Sequence, residues 1–153
     1  MIRTKAAIAR TVGRLSRASG KGGGTTLPGR VLLKLDANAI NKLGAGLTDG
    51  TTLISATNGK TTTASMLATI LDGAGRQQIH NRAGSNMTWG VATALAEQKG
   101  REGLFEVDEA WLPEVADRLG PKTVLLGNLF RDQLDRYGET ETLADAWKEL
   151  AAR

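Results

Sequence analysis

The chain contains no cysteine, which excludes a disulfide framework and any thiolate metal centre and fits the cytoplasm. No apolar run approaches the ~20 residues needed to span a bilayer. The basic amino terminus also lacks the apolar segment of a secretory signal. Acidic side chains are missing from the first 34 positions, where eight Lys/Arg give +8. The remaining residues carry twelve basic and sixteen acidic side chains, or −4, so the net charge of +4 comes from a basic leader on a mildly acidic body. That uneven spread argues against a nucleic-acid partner.

What is present suffices for one domain with a real core: 153 residues, 41% of them hydrophobic. Residues 3–18 place Ile8, Val12 and Leu15 at helical spacing, with Arg10, Arg14 and Arg17 between them. The glycine-rich stretch 19–24 then reads as a flexible linker, so 1–24 form a basic leader. One reading of the leader is peripheral contact with the anionic inner membrane surface. The other, favoured by the small apolar face, is a solvated or partner-docked arm. Over 25–48 the pattern predicts a turn at 26–29 and a short docking helix from Leu32 to Leu43, ending at Gly44.

From residue 49 strands and helices alternate. Strands are predicted at 51–55, 77–80, 103–107 and 123–126. Helices are predicted at 61–71 (burying Met66, Leu67, Ile70 and Leu71), 87–98, 110–119 and 140–152. Trp89, Trp111 and Trp147 read as packing residues. This alternation predicts an α/β fold with a mostly parallel sheet and helices on both faces. Ligands of such sheets collect beyond the carboxyl ends of the strands, and four polar loops fall there. The chain stops after a helix, where a further strand is expected, which suggests a truncated domain over 49–153.

The first loop, Thr57-Asn58-Gly59-Lys60-Thr61-Thr62, joins a β-branched strand to a helix. Gly59 lets backbone approach a phosphate, Lys60 supplies a point charge, and Thr61 can offer a hydroxyl to Mg²⁺. The strict pattern G-x-x-x-x-G-K-[ST] is not met, because Ile54 replaces its first glycine. In the third strand's loop, Glu106 is a candidate Mg²⁺ ligand, Asp108 is undecided, and Glu109 reads as a helix cap. In the loop 128–138, Asn128 and Asp132 can position water or metal. In the loop 81–86, Arg82 suits a phosphate or carboxylate and Ser85 or Asn86 suits a cap. His80, at a strand end, reads as structural, with a catalytic base as the alternative.

The run Ala56-Thr57-Asn58-Gly59-Lys60-Thr61-Thr62 resembles the phosphate loop of the Mur ligases and folylpolyglutamate synthases. Three further stretches narrow the resemblance: Asn81-Arg82-x-Gly84-x-Asn86, Phe105-Glu106-Val107-Asp108-Glu109, and the run 128–139 containing Arg131-Asp132-Gln133-Leu134-Asp135. Together they are similar to the MurT branch, the synthetase subunits of lipid II isoglutaminyl synthases, over roughly residues 26–153. The resemblance implies a P-loop-type three-layer sandwich, the central domain of a Mur ligase, incomplete here and preceded by the basic helical leader. It implies an ATP- and Mg²⁺-dependent ligase of peptidoglycan biosynthesis. In that branch the D-glutamate α-carboxyl of the lipid II stem peptide is activated as an acyl phosphate and amidated with ammonia from a GatD-type glutaminase partner.

The same resemblance implies site roles. Thr57, Asn58, Gly59, Lys60, Thr61 and Thr62 hold the phosphates, and Thr61 and Glu106 hold Mg²⁺. Lys60, Glu106, Asn128 and Asp132 form the catalytic set, with Asn81, Arg82 and Asn86 toward substrate. Ala56 departs from the usual glycine, which puts the shape of the cradle in question if that position needs positive φ. Gln133 replaces a histidine that binds a second Mg²⁺ in the peptide ligases and favours the amidating branch. The branch's four-cysteine zinc ribbon and C-terminal domain are not in this sequence, so zinc is not expected to bind this chain and the piece alone is expected not to turn over. The alternatives are an amino-acid-adding Mur ligase or folylpolyglutamate synthase, and a nucleotide-binding module without chemistry.

Overall fold

A computed structural model of the chain describes residues 1–18, 26–81, 85–130 and 140–152. Three helices come first: α1 (Ile2–Ala18), α2 (Leu27–Leu35) and α3 (Ala39–Gly44). The order then alternates as β1 (Gly50–Ser55), α4 (Lys60–Gly73), β2 (Gln78–His80), α5 (Thr88–Glu97), β3 (Glu102–Glu106), α6 (Leu112–Leu119) and β4 (Thr123–Leu126). The last described helix, α7, is Thr140–Ala151.

The four strands form one parallel sheet in the order β2-β3-β1-β4, as the alternation predicts. Alternate side chains enter two cores. Ile54 and Leu104 face α4 through Ala64 and Ala68, with Leu67 and Leu71 at the rim. Leu53, Ile79, Phe105 and Val107 face the other way, toward α5, α6 and the amino-terminal helices. The buried face of α4 therefore consists of alanines, which bring the helix close to the sheet. Met66 and Ile70, expected inside, are exposed.

The expected single helix over 32–43 is two helices, and the turn expected at 26–29 is the first turn of α2, with Pro28 where a missing N–H costs nothing. The chain breaks at Asp36, whose backbone is extended. Its carboxylate accepts hydrogen bonds from Lys42, Lys5 and the Asn38 N–H. The two ammonium groups, Lys42 foremost, hold the Asp36 carboxyl down to about 2 from its ordinary 3.8.

The leader helix buries a different face from the one its apolar spacing suggests. Ala6, Ala9 and Gly13 are buried, whereas Ile8 is 48% and Leu15 66% exposed. Small residues win because α1 lies close against α2 and α5: Arg10 donates to the Ala96 carbonyl and Arg17 pairs with Glu97. An equally close approach joins α2 to α5. A Cβ on Gly29 would fall 1.8 Å from the Trp89 carbonyl oxygen, and the Gly29 N–H donates to Thr93 Oγ1 at 2.8 Å.

Candidate functional site

The carboxyl ends of all four strands lie along one sheet edge, where ligands of parallel sheets collect. β1 sits inside the sheet with β3 on one side and β4 on the other, so the loop after β1 is flanked by the loops after both. Its geometry suits a phosphate. Gly59 is the N-cap of α4 at φ +85°, no side chain caps the helix, and no atom lies within 4 Å of where a Cβ would stand. Thr61 and Thr62 are exposed beside it. An uncapped first turn on a 14-residue helix presents unpaired backbone N–H groups and the positive end of the helix dipole.

Ala56 does not disturb this cradle. No residue other than glycine has positive φ among the described residues, so position 56 needs no glycine conformation. Its methyl group fits because Gly127 stands opposite: a Cβ there would lie 2.7 Å from the Ala56 Cβ.

Asn128 braces the loop from β4. Its carbonyl accepts from the Thr57 N–H at 2.7 Å, and its side-chain amide accepts from the Asn58 N–H at 2.9 Å and donates to the Asn58 carbonyl at 3.2 Å. Thr57 Oγ1 accepts from the Phe130 N–H at 2.9 Å. Asn128 thus extends the pairing of β1 with β4 through its backbone carbonyl and its side-chain amide.

Lys60 is only 8% exposed. Its ammonium donates to the carbonyls of Ala56 and Thr57 and to Glu109 Oε2, the last at 3.1 Å. Glu109 is therefore not the helix cap that its position suggests. The helix starts later, at Leu112, with Trp111 as N-cap and no side-chain cap. Asp108 makes the local turn instead, accepting from the Ala110 N–H at 3.3 Å. Freed from capping, the Glu109 side chain turns back to Lys60, 49 positions earlier. Sequence reasoning missed this pair because no local spacing links its members.

Glu106 ends β3, opposite Ile54 of β1, and is 4% exposed. Among the described residues nothing bonds its carboxylate, although its backbone is doubly held. Its N–H donates to Asn81 Oδ1 at 2.9 Å and its carbonyl accepts from Asn81 Nδ2 at 2.7 Å. Asn81 Nδ2 also donates to the Ser85 carbonyl at 2.9 Å. Both amide donors of Asn81 are thus spent on backbone, and its side chain supports Glu106. Asn86 accepts from the Asp108 N–H through its carbonyl. Neither it nor Ser85 caps α5, whose N-cap is Met87 without a side-chain bond.

His80 is buried, its Nδ1 2.8 Å from the Leu104 carbonyl, in a structural setting between strands. Trp147 is buried, and Trp89 and Trp111 pack edge to face at 5.5 Å. Arg82, Asp132 and Gln133 lie outside the described residues. Among the described residues no group of three or more acidic or histidine side chains forms a metal cage. Mg²⁺ is commonly held by one or two protein groups together with substrate phosphates. The unpartnered Glu106 carboxylate and the exposed Thr61 fit that arrangement. Among the described residues no helix is long and apolar enough to cross a membrane.

Residues 54–153 match the Mur ligase middle domain. The chain is 38% identical over 141 residues to the lipid II isoglutaminyl synthase (glutamine-hydrolyzing) subunit MurT of Staphylococcus aureus strain N315, covering 90% of this chain and 32% of that protein. It is 35% identical over 126 residues to the same-named subunit of Streptococcus pneumoniae strain R6, covering 79% and 28%. The fold matches a crystal structure of MurF from Acinetobacter baumannii with a TM-score of 0.61 at 21% identity, over 73% of this chain and 27% of that one. The chain spans about a third of the length of the curated relatives it matches.

Proposed function

This chain belongs to the Mur ligase family, and we propose that it forms the ATP-binding part of a ligase that amidates the D-glutamate α-carboxyl of the lipid II stem peptide. The observation that carries the ATP assignment is the uncapped α4 amino terminus with Lys60 folded into the loop before it. The similarity to two MurT subunits supports the choice of amidation over amino-acid addition. The proposed partner is a GatD-type glutaminase that supplies ammonia, and the proposed place of work is the cytoplasm.

The residues fit MgATP. The α4 N–H groups and Lys60 hold the phosphates, and Thr61 and Glu106 hold Mg²⁺, whose part is to neutralise charge on the transferring phosphoryl group. The chain's own contribution is alignment. Asn128 fixes the phosphate loop and Asn81 fixes the backbone of Glu106. The reaction class is transfer of the terminal phosphoryl group to a carboxylate oxygen, then attack by ammonia with loss of phosphate.

The test is amidation of lipid II by the full-length protein with a glutaminase partner, comparing wild type, Lys60→Ala and Glu106→Ala. Loss of product in both variants is expected. Retained activity in Lys60→Ala would remove the phosphate-loop assignment, and a product carrying an added amino acid would replace amidation by the peptide-ligase reaction.

A further inference from the structure

We propose that Glu109 is a positioning residue for Lys60, holding its ammonium at the phosphate loop both before and after a nucleoside triphosphate binds. The proposal rests on the ATP reading above and assigns a role to a buried carboxylate that the reading leaves unused.

A lysine ammonium has three N–H donors, and Lys60 has three acceptors: the Ala56 carbonyl, the Thr57 carbonyl at 3.2 Å and Glu109 Oε2 at 3.1 Å. It can meet a phosphate only by giving up a partner. Glu109 is the costly one to release. Its side chain is 4% exposed, and a buried carboxylate stripped of its counter-charge is strongly unfavourable. The two carbonyls are neutral, so the exchange falls on them, and the ion pair persists while the ammonium turns toward the ligand.

The place of Glu109 is set from two directions. The Asp108 N–H donates to the Asn86 carbonyl at 2.7 Å, tying the segment to the start of α5. On the far side Trp147 Nε1 donates to the Glu109 carbonyl at 3.2 Å, from a buried indole on α7. The last helix therefore reaches the phosphate loop through Glu109.

The experiment is calorimetric titration of the full chain with adenylyl imidodiphosphate and Mg²⁺, using wild type, Glu109→Gln, Lys60→Met, the double variant and Trp147→Phe. A residue acting only through another shows coupling rather than additivity. Glu109→Gln is expected to weaken binding about tenfold, as for a lost charge-assisted hydrogen bond. The double variant is expected to bind no more weakly than Lys60→Met. Trp147→Phe, which leaves both charges in place, is expected to weaken binding about threefold. Multiplying effects in the double variant would overturn the proposal, as would unchanged binding in both Glu109→Gln and Trp147→Phe. Tighter binding in Glu109→Gln would also overturn it and make Glu109 a competitor of the phosphates. A wild-type chain that binds no triphosphate overturns the ATP reading and this proposal with it, a result distinct from binding without coupling. Thermal melts of each variant separate lost binding from lost folding; the double variant, with neutral side chains at both positions, avoids the unpaired carboxylate of Lys60→Met.

Discussion

Lys60–Glu109 and Lys42–Asp36 are lysine–carboxylate pairs of similar length, 3.1 and 2.8 Å, in two different regions of the molecule. The first lies at the sheet edge with 9% and 4% of its side chains exposed. The second lies on the amino-terminal helical layer, with Lys42 50% exposed. At the sheet edge neither partner can fall back on water, so each needs the other, and the pair ties the start of α4 to the segment after β3. On the helical layer Asp36 has a second lysine and a backbone N–H, and Lys42 has solvent, so losing one contact changes little. The same chemistry joins two buried side chains in one place and fastens a half-exposed lysine to a buried carboxylate in the other. The helical layer takes its definition from close backbone packing instead.

The largest expected effect comes from removing one member of the buried pair. Lys60→Met should cost about 3–5 kcal/mol of folding stability, because Glu109 is left charged and unpaired, and urea unfolding measures it. A cost no greater than that of a surface pair would erase the contrast between the regions. Next comes Gly29→Ala, which drives a Cβ into the Trp89 carbonyl. Separating α2 from α5 should cost about 2–3 kcal/mol by the same measurement, and a neutral outcome would show that the layer is not held by that approach.

A smaller effect is confined to acid. The Asp36 carboxyl lies below its ordinary value, so folding raises its affinity for the charged form. Its contribution is complete above 3.8 and is lost as pH falls toward about 2. Asp36→Asn should flatten the fall of the melting temperature across that window and leave the slope at higher pH unchanged. The smallest effect is expected at Arg17, whose pair with Glu97 leaves its own side chain 47% exposed. Arg17→Ala should change stability by less than about 1 kcal/mol, and a larger loss would move this pair into the class of Lys60–Glu109.

Much of the fold and part of the site were legible in the residue order. β1 and β4 follow from short β-branched and apolar runs and β3 from Leu104-Phe105, whereas β2 holds the single apolar residue Ile79 and follows from its place between two helical patterns. The junction of β1 with α4 follows from a strand meeting Gly59-Lys60-Thr61. The buried faces of α1 and α4 were not legible. Apolar spacing pointed to Ile8, Val12 and Leu15 and to Met66 and Ile70, whereas the close contacts chose Ala6, Ala9 and Gly13 and Ala64 and Ala68. Hydrophobicity says which side chains prefer burial; how near two backbones come decides which of them fit.

The sequence by itself determined the alternation of strands and helices and the junction of β1 with α4 at Gly59-Lys60-Thr61, because each depends on neighbours a few residues apart. Only the tertiary structure decided that Glu109 pairs with Lys60 instead of capping a helix, that Asn81 supports Glu106, and that Asn128 braces Asn58. Those choices join residues 49, 25 and 70 positions apart. A side chain with several local uses takes the partner that burial leaves it, and burial is a property of the assembled sheet.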